Sequence, residues 1–226
     1  MTTSSDVDPH RLAAAYLDIK RIVIDAGFAS EIDWQSSVHF EGITESAFLQ
    51  EAAWVVLGSG MRQSIVQRLF PSITEAFLGW ASARDIVMRR EWCRRHALSV
   101  FNHKPKINAI LSIADKLSAL SLEWFLDRLV NRGVSYLERL PYIGPVTSFH
   151  LAKNLGVQVA KPDRHLVRIA SLFGFESVQN MCETIAAQVC DPVTVVDIVL
   201  WRYATTHSDY RVRMRDAYMA QSAFNA

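Results

Sequence analysis

The sequence predicts an all-α protein. Apolar residues recur at three- and four-residue spacing along almost the whole chain, no sustained period-two alternation interrupts them, and short connections marked by Gly or Pro separate the runs. In chain order the pattern predicts helices over 9–27, 44–58, 62–69, 73–80, 82–101, 106–117, 121–132, 134–140, 145–155, 163–172, 176–189, 192–205 and 208–222. Their punctuation is Gly58 and Gly60, Pro71, Gly79, Pro105, Gly133, Pro141, Gly156, Pro162, Gly174 and Pro192. Ser72 followed by Glu75 reads as a capped start after a break at Pro71, and Asp191-Pro192 reads as an N-cap ahead of a proline at the first helical position. Val195, Val196, Val199, Leu200 and Tyr203 form one apolar stripe, expected to be core.

The chain has 226 residues, half of them apolar, which suffices for one large domain or two packed lobes. With 24 Lys+Arg against 23 Asp+Glu, it is neither a polybasic tail protein nor an acidic disordered chain. No apolar run approaches a membrane span, and the polar start MTTSSDVDPHR lacks the apolar centre of a signal peptide. The expectation is a soluble cytoplasmic protein, nucleoid-associated if bacterial, with no membrane partner. Cys93, Cys182 and Cys190 fit neither a disulfide framework nor a zinc knuckle, so reduced and mostly buried thiols are expected.

The charge is unevenly placed. Residues 1–51 carry nine acids and three bases, leaving the rest net basic. Residues 84–106 hold seven Lys/Arg against two acids, with Trp92 and Phe101 interleaved. Such a cluster can neutralise phosphates, or form a solvated face whose apolar side, Ile86, Val87 and Trp92, packs inward.

The chemistry is densest in residues 137–169, LERLPYIGPVTSFHLAKNLGVQVAKPDRHLVRI, which read as helix, tight turn, helix, loop, helix. Leu140-Pro141-Tyr142-Ile143-Gly144 ends one helix and starts the next. Such a turn can leave the N–H groups of Gly144 and its successors facing outward at a helix N-terminus, which is an anion site. Pro145 costs no hydrogen bond at the first helical position, and Thr147 and Lys153 add favourable contacts for a phosphate. Nineteen residues after Gly144 comes Asp163-Arg164-His165-Leu166-Val167-Arg168.

The pair L-P-x-x-G-x-x-T and, after a short helix, D-x-H-x-x-R resembles the helix-hairpin-helix superfamily of base-excision DNA glycosylases, which includes endonuclease III and the adenine, 8-oxoguanine and alkylpurine glycosylases. The likeness is firmest over 134–170 and extends over 44–205. It implies a two-lobed helical bundle, with residues 44–155, including the hairpin 140–145, as the central bundle and residues 1–43 plus 156–226 as the second lobe. It implies that Asp163 assists base loss by stabilising positive charge on the deoxyribose and orienting or activating water. An N-glycosidic bond breaks with oxocarbenium character, and a fixed carboxylate favours that state over the ground state. Asp163 is equally a good N-cap for the following helix, and both jobs are compatible. Tyr142, where the family usually has Gly, and Gly144, Val146, Thr147, Lys153 and Arg168 would hold the DNA backbone; His165 and Arg168 match positions that are partly structural.

The departures from the family are informative. Members that also cleave the strand carry a Lys nucleophile where this chain has Val146, so the resemblance implies a monofunctional hydrolase without Schiff-base chemistry there. The four cysteines of an iron–sulfur cluster and the Cys and His ligands of the zinc-containing branch are missing, so no cofactor is expected; a monovalent cation at the hairpin is compatible with the motif. The implied partner is double-stranded DNA carrying a modified base, bound by a monomer.

A glycosylase must also extrude its base and fill the gap. Residues 51–63, with Glu51, Trp54 and the Gly58-Ser59-Gly60 corner, resemble the family's first bundle helix and the loop that wedges the duplex. Met61, Arg62 and Gln63 are the wedge candidates, unless the loop is only a helix corner with a solvated Arg62. Glu51 could read a base edge and Trp54 stack on the base, while Phe149 and His150 border the hairpin, His150 equally as a core histidine. Alkylated or oxidised purines, deaminated bases and hypermodified bases of foreign DNA all fit these motifs. Two other classes remain open: a catalytically silent DNA-binding protein and a helical protein-interaction module.

Overall fold

A computed structural model describes residues 7–221, and no strand occurs among the described residues. The chain forms two compact units, one made of the described residues through Val38 together with those from Gly156 onward, the other of His39–Leu155.

The discontinuous unit contains α1 (Pro9–Val23), α2 (Ala29–Ser37), α10 (Arg164–Leu172), α11 (Val178–Ala186), α12 (Val193–Thr206) and α13 (Tyr210–Ala220). Helix α12 is its axis, packing against α1, α2, α10, α11 and α13. The stripe Val195, Val196, Val199, Leu200 and Tyr203 is buried there, with Leu12, Tyr16 and Ile19 of α1 in the same cluster. Each of these large side chains contributes about 1.5–3 kcal/mol when fully buried.

The predicted helix 9–27 stops being α-helical at Val23. A π-turn, Ile24–Phe28, follows, with Gly27 at φ 91°, and α2 starts at Ala29. Helix α2 was not anticipated because its stretch is mostly polar. It is held from outside: Arg202 Nε and Nη2 of α12 donate to Glu31 Oε2 at 2.9 and 2.6 Å, and the guanidinium lies 4.2 Å from the Phe28 ring centre. The expected cap by Asp191 is also absent, since α12 starts at Val193 with Pro192 at the N-cap. Asp191 instead accepts from Tyr16 Oη at 2.6 Å and pairs with Lys20 Nζ at 2.6 Å, tying the approach to α12 onto α1. The last residue of the final predicted helix, 222, lies outside the described residues.

The continuous unit contains α3 (Glu45–Gly58), α4 (Gln63–Ala76), α5 (Ala83–Met88), α6 (Arg90–Val100), α7 (Lys104–Leu120), α8 (Leu122–Arg132), a 3-10 segment (Val134–Arg139) and α9 (Pro145–Asn154). Helix α3 is central and touches α4, α5, α7 and α9. Pro71 does not break the chain as expected: α4 runs through it, and Ser72 sits inside the helix. The helix loses one hydrogen bond at the proline. Compensation comes from an aromatic ladder in which Phe70, beside the proline, packs edge-on to Trp54 and near-parallel to Trp80, which itself stacks on Phe77. Trp80 and Phe77 are fully buried. The predicted helix 82–101 breaks at Arg89 (φ −104°, ψ 25°), giving α5 and α6. No helix among the described residues is long and apolar enough to cross a membrane.

Candidate functional site

The hairpin forms from local bonds. Ile143 N–H donates to Leu140 O at 3.1 Å, closing the turn, and Tyr142 takes φ 67°, a left-handed conformation that favours glycine. Pro145 is the first residue of α9, as the sequence implied. The outward anion site is smaller than expected, however, because Gly144 N–H donates to Thr147 Oγ1 at 2.7 Å. Thr147 is thus a cap for the turn, and the first-turn N–H groups that lack an i−4 partner are those of Val146 and Thr147. Val146 and Tyr142 are both exposed, an apolar tip on the turn. Lys153 is buried, 4% exposed, so it offers no ammonium to a surface phosphate, contrary to the sequence reading. Phe149 and His150 are partly buried on α9.

Behind the hairpin helix, Asn154 Nδ2 of α9 donates to Glu51 Oε2 of α3 at 2.8 Å. Burial pushes the Glu51 carboxyl up to about 7, against the lowering effect of that bond. Near neutral pH it therefore exchanges between donor and acceptor forms. Trp54, one turn further along α3, is partly buried and its ring is edge-on to Phe70 at 5.0 Å. The corner after α3 is a turn, with Met61 N–H donating to Gly58 O at 3.1 Å and Gly60 at φ 69°. It leaves Arg62 exposed and Met61 and Gln63 partly so.

In the other unit, Asp163 is the N-cap of α10. Its Oδ1 accepts from His165 N–H at 2.8 Å and Leu166 N–H at 3.0 Å, while Oδ2 accepts no bond from a described residue. A carboxylate fixed through one oxygen and open at the other is a preorganised negative charge. The irregular segment before it is stitched by side chains from distant helices. Ala160 N–H donates to Gln179 Oε1 at 2.7 Å, Gln179 Nε2 donates to Gln158 O at 3.2 Å, and Lys161 N–H donates to Asp197 Oδ1 at 2.6 Å. Asp197 is 1% exposed within α12. Burial lowers the pKa of His165, against the pull of Asp163, so its imidazole stays neutral at neutral pH. Its ring lies edge-on to Tyr210 at 5.6 Å, and Arg168 is exposed on α10.

Sequence reasoning missed Asp197, Gln179, Asn154 and Lys106. A signal existed for two of them: Asp197 interrupts a buried apolar run, and Lys106 starts the stripe Lys106, Ile110, Ile113, Leu117, whose members are all buried. The basic segment is also partly spent. Lys106 is buried, Arg90 pairs with Asp115 at 2.6 Å, and Trp92, which the solvated-face alternative would have packed inward, is exposed with His96 stacked 3.8 Å away. Cys93 and Cys182 are buried, Cys190 is exposed, and none of the three forms a disulfide. Among the described residues no three His, Cys, Asp or Glu form a group that could hold a metal ion.

No protein-family model matches the chain, and no curated protein or solved structure matches it either.

Proposed function

We infer that the protein is a DNA glycosylase that hydrolyses the N-glycosidic bond of a damaged or modified base, with Asp163 stabilising the developing positive charge and no lysine Schiff base at the hairpin. The observation that carries this reading is Asp163 itself. Its carboxylate is held by two helix N–H groups through one oxygen, accepts no bond from a described residue at the other, and stands on a segment fixed by the buried Asp197 and the partly buried Gln179, following the hairpin at the spacing the resemblance requires. The exposed turn at Tyr142 and Val146 with the first-turn N–H groups of α9 supports duplex binding, and the Glu51–Asn154 pair supports recognition of a base edge. A second reading, a silent DNA-binding protein, draws on the same cap, since Asp163 Oδ1 is fully occupied by α10.

Incubation with duplexes carrying single alkylated, oxidised, deaminated or hypermodified bases, followed by alkali, separates the readings. Strand breaks that require alkali support a monofunctional glycosylase. Breaks without alkali contradict the absence of lyase chemistry, and salt-dependent binding without any break on the whole panel favours the silent protein.

A further inference from the structure

Helix α3 ends on the extended residue Ser59, and although the next residue, Gly60, is left-handed at φ 69°, the turn lacks the hydrogen bonds by which a left-handed cap commonly closes a helix. Ser59 is extended at φ −60° and ψ 112°, so the last carbonyls of α3 need donors from elsewhere. Ser59 N–H donates to Val55 O, and Met61 N–H donates to Gly58 O, both at 3.1 Å. Leu57 O and Ser59 O accept from one group, Lys106 Nζ, at 2.6 Å each. Lys106 lies in the first turn of α7, is 3% exposed, and extends its ammonium to the negative end of the α3 dipole.

The same turn of α7 also touches the hairpin. His103 is its N-cap residue, with Nδ1 accepting from Lys106 N–H at 3.3 Å, and its ring packs edge-on to Tyr142 at 6.3 Å and stacks on Phe101 at 5.5 Å. Residues 101–106 thus join the corner after α3 to the turn at Tyr142, which are far apart in sequence and are the two places where this unit would meet a duplex.

We propose that Lys106 is a positioning residue that fixes the corner 58–63 in the form that enters the duplex, and that His103 sets the register between this corner and the hairpin. The inference rests on the glycosylase reading, because it assigns Lys106 to base extrusion rather than to backbone binding. Burial lowers the pKa of the Lys106 ammonium, yet two carbonyl partners and the helix end favour the charged form at the same place.

The test is Lys106→Met, which keeps most of the buried stem and removes every donor, with Lys106→Arg as the conservative rescue. Three quantities are read on the full chain: amide exchange of residues 58–66, affinity for an unmodified duplex, and the fluorescence of 2-aminopurine placed beside the target base. The expected result is exchange faster by about tenfold or more over 58–66 and a lost 2-aminopurine signal, with unmodified-duplex affinity within about threefold of wild type and extrusion partly restored by Lys106→Arg. Should Lys106→Met fail to fold, Lys106→Gln, able to reach one carbonyl, is expected to give an intermediate exchange rate and signal. Unchanged exchange over 58–66 overturns the anchoring, and faster exchange with a wild-type fluorescence signal overturns the link to extrusion. A wild-type protein that extrudes no base from any duplex overturns the glycosylase reading and the role in extrusion together, whereas the exchange result then still decides whether Lys106 anchors the corner.

Discussion

The hairpin and the segment that presents Asp163 solve one problem in two ways. Both are irregular backbone that must hold a helix N-terminus in a set direction. The hairpin does so with its own residues: Leu140 O takes Ile143 N–H, and Thr147 Oγ1 takes Gly144 N–H, all within eight positions. The Asp163 segment borrows Gln179 from α11 and Asp197 from α12, 19 and 36 positions away from the residues they hold. A locally closed turn can be read from a short motif, whereas a segment closed from a distance depends on a folded core and is sensitive to substitutions that look unrelated to it.

The largest expected effect breaks the distant support. Asp197→Ala removes the acceptor of Lys161 N–H from the core and is expected to destabilise the protein by about 1–3 kcal/mol. It should also slow base release without changing affinity for unmodified duplex; thermal unfolding and single-turnover release check both. An unchanged release rate would show that the segment does not need this support.

Glu51 gives a comparably large effect with a defined pH signature. Its carboxyl is raised from 4.5 to about 7 in the folded protein. The stability linked to its protonation is therefore full below pH 4.5 and is lost as pH rises to about 7, a change of at most about 3 kcal/mol. Glu51→Gln should flatten that part of the stability profile in urea unfolding between pH 4.5 and 8 and leave the variant the more stable protein at the alkaline end. A profile identical to wild type would contradict the burial of the carboxyl.

Thr147→Val tests the local closure. Losing the acceptor of Gly144 N–H should cost about 1 kcal/mol and weaken duplex binding severalfold, with release from bound duplex little changed. Smallest is Tyr142→Gly. Relief of the left-handed backbone at φ 67° is worth about 1 kcal/mol, offset by the lost contact with His103, so unfolding should move little while duplex affinity falls if the ring meets the backbone of DNA. Calorimetry and binding isotherms distinguish these outcomes.

The contrast also explains what the sequence revealed. Helices with a local start or stop signal, such as α8 before Gly133, α9 after Gly144 and α10 after Asp163, were legible because those signals lie within a few residues. Those decided by tertiary contacts were not. Helix α4 passes through Pro71 because Phe70 belongs to the Trp54–Trp80 ladder, and polar α2 exists because Arg202 holds Glu31. Asp191 has the sequence of a cap but serves Lys20 and Tyr16 instead. In the candidate site, Asp163 and Gly144 could be found by motif, whereas Asn154, Asp197 and Lys106 matter through partners 36 to 103 positions away. Lys153 shows the opposite error, a phosphate-binding cation by spacing that the packing of α9 buries.

The central claim is that Asp163 supplies negative charge to the reaction as well as a cap to α10. Asp163→Asn separates the two jobs, since Asn caps a helix about as well as Asp while carrying no charge. Single-turnover base release by the wild-type and Asn proteins, on whichever modified duplex the panel selects, measures the difference. A loss of at least about a hundredfold with unchanged unfolding temperature and duplex affinity is the predicted result. Release at the wild-type rate would contradict it and leave Asp163 as a helix cap alone.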